Sequence, residues 1–373
     1  SFLNHGLIHG NSLTGVGTIQ EITDSIREAQ EREDKNHHAD GMFDINQPLE
    51  ELLARADTHL TTLATLTGAS INEVQQVQDL YQEVTRALEP LTALCDLITA
   101  ERTTRKLKKL DPDKILLVGK SDLTSALTAD ELEQSILHHP QLARAREIAH
   151  AIGAIHFPTA FPEVFRREAS GFDVLLGNPP WKEITTDEVQ FWAIRFPGIK
   201  GLDSTSQRAR IEELRGARPD LVVELQELKD TMSEIRQLLI AGPFAGLGQS
   251  DPDIYKAFAW RNWSLLRNFG HLGLLFPRSM WTTKSSAEWR HAVLPTASTV
   301  IDMCQNKDEW LFQDVNEGYE ISFVSVFKSF SGSRLGLRGL FTSRESFDDG
   351  IQKPPQAIKV EDLERLDPLL CIP

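Results

Sequence analysis

A chain of 373 residues, 40% hydrophobic and 25% charged, has the make-up of a soluble globular protein of about two domains, each long enough to bury a core. No apolar run approaches the roughly 18 residues needed to cross a bilayer, and no basic-then-apolar leader opens the chain, so a membrane protein and a secreted precursor are excluded as simple readings. The net charge of −15 excludes a surface coated with phosphate-binding groups but leaves room for a local basic groove.

Cys95, Cys304 and Cys371 lie far apart and fit no zinc spacing or disulfide framework, which points to a reducing cytoplasm. The chain starts at Ser1 without an initiator Met and stops at Pro373 directly after Leu369-Leu370-Cys371-Ile372, so both ends read as cut.

Residues 1–16 read as a short strand and a Gly-Asn-Ser turn. Residues 17–155 read as polar and mostly helical. Ser70 to Glu73 and Thr128 to Glu131 fit the capping-box pattern, in which a hydroxyl and a carboxylate satisfy free amides at a helix start. From Ile71 to about Lys109, Val74, Val77, Leu80, Val84, Leu88, Leu91, Leu94 and Ile98 recur at steps of three and four. They predict one long helix, kinked at Pro90 and packed on a partner such as 48–67. Nothing in this helical insertion suggests chemistry.

The texture changes at 156–200. Asp173 to Leu176 is a compact apolar run that ends abruptly in Gly177-Asn178-Pro179-Pro180-Trp181, the pattern of a buried strand. Residues 204–240 and 254–266 read as helices, and Leu272–Phe276, Val300–Met303 and Ile321–Phe327 as strands. Strands alternating with helices predict an α/β sheet covered on both faces.

Open α/β sheets bind ligands at the carboxyl ends of their strands, where Asn178 to Trp181 fall. Two prolines remove two backbone donors and stiffen the turn, Asn178 adds an amide acceptor, and Trp181 adds a π-face. Such a pocket accepts the hydrogens of a planar amine while stacking on its ring. The nitrogen of an exocyclic base amine is a poor nucleophile because its lone pair is delocalised. Hydrogen bonds to Asn178 and the Pro179 carbonyl favour a pyramidal nitrogen with the lone pair free. The competing reading of the tetrapeptide is a strand-ending turn with a core tryptophan.

The run Gly171 to Trp181 resembles motif IV of the amino-methylating DNA methyltransferases, written there (D/N/S)-P-P-(Y/F/W). His9-Gly10-Asn11-Ser12-Leu13 looks like the segment after their third strand, and Phe161-Pro162-Glu163-Val164-Phe165 is similar to one that precedes motif IV in large restriction-linked methylases. Tyr255-Lys256-Ala257-Phe258 and Gly270 to Pro277 look like motifs V and VI, and Phe312-Gln313-Asp314-Val315 resembles the start of motif VIII. The order is that of the gamma class, found in type IIG enzymes and in BREX and DISARM phage-defence methylases.

The resemblance implies a partial Rossmann-like class I methyltransferase sheet with a large helical insertion. Residues 1–16 would begin the core, 17–155 form the insertion, 156–330 hold motifs IV to VIII, and 331–373 lead towards a target-recognition domain. It further implies S-adenosylmethionine as cofactor, contacted by Asn11 and Asn178, and double-stranded DNA as partner. Asn178, Pro179, Pro180 and Trp181 would be catalytic, and Trp181 and Phe312 would stack on a flipped adenine.

The departures are as informative. No glycine-rich motif I and no acidic ribose-binding residue precede the matched segments. Phe244-Ala245-Gly246-Leu247-Gly248 fits F-x-G-x-G on paper, but a helix precedes it where a cofactor fingerprint needs a strand. With Asp251 and Tyr255 it fits better the lead-in to motif V. The chain is therefore expected to be the central piece of a larger methyltransferase, with cofactor-binding and target-recognition parts elsewhere in the same polypeptide and other defence-system subunits as further partners. Alone, Asp173 to Leu176 would be an apolar sheet edge, so the isolated chain is expected to aggregate or fold only in part; a cooperative, monomeric melt would contradict this.

Other signals have bland readings. Arg102, Arg105, Lys106, Lys108 and Lys109 read as a solvated helix end, with phosphate contact as the sharper alternative. His37-His38 between Asp34 and Asp40 reads as a polar loop, and no metal is expected. His156 reads as a packed histidine. Trp260, Trp263 and Trp281 read as core, with Trp281 able to border a cofactor pocket. Methylation of cytosine N4 suits the same pocket, methylation of a protein glutamine amide is a second enzymatic reading, and a non-catalytic scaffold or DNA-binding subunit is a third.

Overall fold

The computed structural model describes residues 7–37, 45–66, 70–104, 128–181, 184, 186–247, 253–313, 315–329 and 334–372. Its centre is a six-stranded mixed sheet of β1 (Phe172–Gly177), β2 (Leu266–Pro277), β3 (Ala297–Gln305), β4 (Glu320–Lys328), β5 (Arg334–Phe341) and β6 (Gln356–Ile358), in the order β1-β2-β4-β3-β5-β6. β1 and β2 pair in parallel, β4 lies antiparallel between β2 and β3, and β5 runs parallel to β3. The carboxyl ends of β1, β2, β3 and β5 therefore lie along one sheet margin.

One face of the sheet is packed. Leu272, Leu274 and Phe276 of β2, Val324 and Val326 of β4 and Ile301 of β3 are at most 3% exposed. They meet Tyr255 and Ala259 of the helix Ile254–Leu265, Met280 and Trp281 of Ser279–Thr282, Trp289 and Val293 of Ala287–Val293, and Val360 and Leu363 of Val360–Leu366. The segment after this last helix packs into the same core. Arg290, fully buried, donates to the carbonyls of Met280, Thr283 and Leu369, and Leu370 and Ile372 are buried beside it. Residues 334–372 thus contribute β5, β6 and two helices to the body of the molecule.

The opposite face corrects the expectation of a sheet covered on both sides. Across β5 the helix Arg344–Ile351 lies on it, with Phe347 against Phe323 and Phe341. Across β1, β2 and β4 the residues pointing that way are open: Val174 is 54% exposed, Leu176 81%, and His271 and Ser325 are exposed too. The expected buried strand at Asp173 to Leu176 forms, but at the sheet edge. Its apolar side chains match the composition of a covered strand, and no described neighbour supplies the cover. Gly171 lets the chain enter β1: its φ is +110°, and a Cβ there would stand 2.8 Å from the Arg267 nitrogen and the Leu265 oxygen.

The helical insertion has its own core, in which Ile22, Leu52, Leu53, Val84, Leu94, Ile98 and Leu132 are at most 2% exposed. The long helix expected from Ile71 is instead two helices, Ile71–Ala87 and Glu89–Thr104, separated at Leu88. Pro90 cannot donate to the carbonyl one turn earlier, so the chain restarts there with the proline in the first turn of the second helix. Lys106, Lys108, Lys109 and Arg105 of the basic cluster lie outside the described residues, as do His38 and Asp40. Thr128 and Glu131 form the full capping box, whereas Ser70 accepts from the Glu73 amide.

The short amino-terminal strand does not form in residues 7–16; residues 1–6 lie outside the described set. Asn11 makes an isolated bridge to Ala154, its side-chain oxygen accepts from the Leu13 amide (3.1 Å), and a turn follows. The preference for local side-chain bonding at Asn11 wins over extension.

Candidate active site

β1 delivers Asn178 to Trp181 to the sheet margin where the other parallel strands also end. Pro179 is buried and anchors the turn, while Asn178 and Pro180 are exposed. Asn178 makes no side-chain hydrogen bond among the described residues, so its amide is available to a ligand. Trp181 is half-buried against the sheet core and donates through Nε1 to the Leu275 carbonyl at 3.4 Å, which fixes the indole over the end of β2.

The face of Trp181 is not bare. The Tyr319 ring lies 7° from parallel to it with centroids 6.0 Å apart. Tyr319 immediately precedes β4, is 45% exposed, and was not singled out by the sequence reading, because a lone tyrosine before a strand carries no spacing signal. Phe312, the expected partner of Trp181, is half-buried and makes no aromatic contact among the described residues. Its backbone is held instead by Asn306, as its amide donates to Oδ1 (3.0 Å) and its carbonyl accepts from Nδ2 (2.9 Å).

At the end of β2, Tyr255 hydrogen-bonds Ser279 at 2.9 Å. Burial pushes the Tyr255 hydroxyl up to about 12, against the opposing bond to Ser279, so it stays protonated at physiological pH. Arg278 forms an ion pair with Glu320 at 2.6 Å beside Tyr319, an arrangement half open to water. Trp281 is fully buried and donates to the Ser322 hydroxyl at 2.8 Å, and Trp260 and Trp263 are half-buried against the core.

Asn11 is placed by the Ala154 bridge, with no described contact to Asn178. His156 is a packed residue: Nδ1 accepts from the Val16 amide (3.2 Å) and Nε2 faces Asp96 (3.0 Å), so the ring ties residues 7–16 to the helix Glu89–Thr104. Phe244 to Leu247 follow the helix Pro219–Ala241, and Gly248 and Asp251 lie outside the described residues. A helix and not a strand precedes Gly246, so the start of a dinucleotide-type turn is not present there. The same loop lines an open cavity of about 1050 Å³ together with Lys284, Ser285 and Glu288.

No family model and no curated protein matches the chain. Among the solved structures that are similar in part are three restriction-modification proteins. One is a chain from a study of assembly and conformational transition in a type I restriction-modification system, with TM-score 0.32 and 11% identity over 97% of this chain and 85% of that one. Another is the type I methyltransferase subunit from Streptococcus thermophilus, with TM-score 0.26 and 9% identity over 97% and 98%. The third is the ATP-dependent type ISP restriction-modification enzyme LlaBIII bound to DNA, with TM-score 0.24 and 10% identity over 90% and 20%. Likeness at these scores assigns the chain to no fold family.

Proposed function

We propose that the chain is the central part of a site-specific DNA methyltransferase that acts on the N6 amine of a flipped adenine in a restriction-modification or phage-defence system. The observation that carries this reading is Asn178-Pro179-Pro180-Trp181 at the carboxyl end of a parallel strand, with the Asn178 amide unengaged among the described residues and an aromatic pair beside it. A base inside a duplex cannot present its amine, so it must leave the stack at a cost of roughly a few kcal/mol. Stacking on an aromatic side chain returns about 1–3 kcal/mol.

In this reading Asn178 Oδ1 and the Pro179 carbonyl accept the two amine hydrogens and hold the nitrogen lone pair in one direction. Trp181 holds the ring plane. Rate enhancement comes from fixed dipoles and orientation, and no general base or metal is needed. S-adenosylmethionine would supply an electrophilic methyl group. Its binding is assigned mainly to a part of the polypeptide beyond these residues, and the lack of a strand partner on the outer side of β1 among the described residues supports that assignment. An added strand would pair with this outer side of β1. Target recognition and other defence-system subunits are likewise placed outside the chain.

Calorimetry with S-adenosylmethionine tests the assignment. The chain as given is expected not to bind, and an N-terminally extended protein is expected to bind. Tight binding by the 373 residues alone would show that the cofactor site is built here, from the Phe244 to Leu247 loop or elsewhere.

A further inference from the structure

We propose that Tyr319 is the second wall of the base slot on Trp181, and that Asn306 is the positioning residue that holds it there. The inference rests on the methyltransferase reading of the same site.

Trp181 is fixed to β2 through the Leu275 carbonyl, so what faces it depends on the loop between β3 and β4. Asn306 organises that loop from inside. It is fully buried, and its side chain makes four hydrogen bonds: Oδ1 accepts from the amides of Leu311 (3.1 Å) and Phe312 (3.0 Å), and Nδ2 donates to the carbonyls of Phe312 (2.9 Å) and Val315 (2.8 Å). These bonds use both donors and both acceptor positions of a carboxamide, a set that no other residue of that size supplies. Its backbone amide donates to the Tyr319 carbonyl at 2.9 Å, closing the loop where the tyrosine leaves it. Asp308 and Glu309 within the turn have φ of +53° and +54°, a conformation that side-chain-bearing residues hold only when their surroundings impose it.

The ring separation defines how the slot works. Nearly parallel planes with centroids 6.0 Å apart leave less than the about 7 Å that a base needs between two van der Waals layers. A base can therefore enter between them only if the two rings move apart. Tyr319 is 45% exposed, so its ring has room to move outward while the backbone anchor at Asn306 stays in place. The ligand class is a single unpaired heteroaromatic base. Phe312 is pinned by its backbone on the same loop and has no described contact with Trp181.

The test is photocrosslinking of the N-terminally extended, cofactor-binding protein to a single-stranded oligonucleotide carrying one 5-iodouracil, with adducts mapped by mass spectrometry. Adducts on Trp181 and Tyr319 are expected. Tyr319→Phe should keep the Trp181 adduct, and Tyr319→Ala should lower its yield at least about five-fold, the lower bound for losing one aromatic stack. Asn306→Asp, which lacks the two donors, should lower the yield comparably while total oligonucleotide binding is unchanged. An adduct on Phe312 in place of Tyr319, or an unchanged Trp181 yield in Tyr319→Ala, overturns the role of Tyr319 and leaves the methyltransferase reading standing. An unchanged yield in a folded Asn306→Asp overturns the positioning role. Absence of adducts at all three aromatic residues overturns this inference and the base-binding reading together.

Discussion

Asn178→Ala, made in a protein extended to bind the cofactor, is expected to lower methyl transfer by at least about 10²-fold, the scale for removing one fixed dipole at a reacting centre. The affinity for DNA is expected to stay within about two-fold, because base-slot contacts are a small share of a DNA interface dominated by phosphates. The structure makes this substitution clean. Asn178 is exposed at the end of β1, and its amide has no described partner, so truncation leaves no broken bond in the fold. The buried Pro179 still holds the turn. Asn178→Asp keeps an acceptor and should retain part of the activity. Single-turnover methylation measured beside DNA binding is the check. A parallel loss of both would move Asn178 from the chemistry to DNA association.

Glu21→Gln is expected to destabilise the molecule by about 3–5 kcal/mol, the cost of breaking a buried ion cluster from one side. Glu21 is 7% exposed and joins three parts of the chain. Oε1 accepts from Arg102 of the helix Glu89–Thr104 at 2.5 Å, and Oε2 accepts from Arg261 of the helix Ile254–Leu265 at 2.8 Å and from the Gly17 amide at 2.7 Å. Arg261 is 1% exposed and also donates to the Gly15 carbonyl at 2.7 Å. A Cβ at Gly17 would stand 1.8 Å from Arg261 Nη1, so the approach needs a glycine. Without the carboxylate, two guanidinium groups remain buried between the insertion and the sheet domain.

The same cluster sets a pH dependence. Burial pushes the Glu21 carboxyl up, but the charges of Arg261 and Arg102 and the bonds from Arg102 and Gly17 outweigh it and hold the group at about 2, below the ordinary 4.5. A depressed acid contributes stability that is complete above its unfolded value and disappears as pH falls through its folded value. The difference is worth about 3 kcal/mol, lost progressively between about pH 4.5 and 2. Thermal melts across that range should show the loss in the wild type and a flatter profile in Glu21→Gln. Equal melting temperatures for the two proteins at neutral pH would show that the ion cluster contributes nothing net.

Much of the local structure was legible from side-chain periodicity and punctuation. Apolar steps of three and four marked the helices of the insertion, although a proline at 90 split one of them. Gly177-Asn178-Pro179-Pro180 marked the end of a strand, and period-2 alternation marked Ile321–Phe327, which lies within β4. Less legible were β5 and β6, whose Arg334–Phe341 run is interrupted by Gly336 and Gly339, so neither alternation nor a continuous apolar run signals a strand. The Asn178 to Trp181 turn was visible because its residues are contiguous in sequence. Tyr319 and Asn306 were not, because their roles depend on hydrogen bonds and ring contacts across a loop.

The sequence by itself determined the strand-ending Asn-Pro-Pro-Trp turn and the helical character of the insertion, because local backbone preferences and hydrophobic spacing act over a few residues. Only the tertiary structure decided that Trp181 faces Tyr319 and that Glu21 joins the helical region to the sheet, because each depends on groups brought together from distant parts of the chain. A Glu21 to Arg261 bond spans 240 residues of sequence, and no local pattern encodes it.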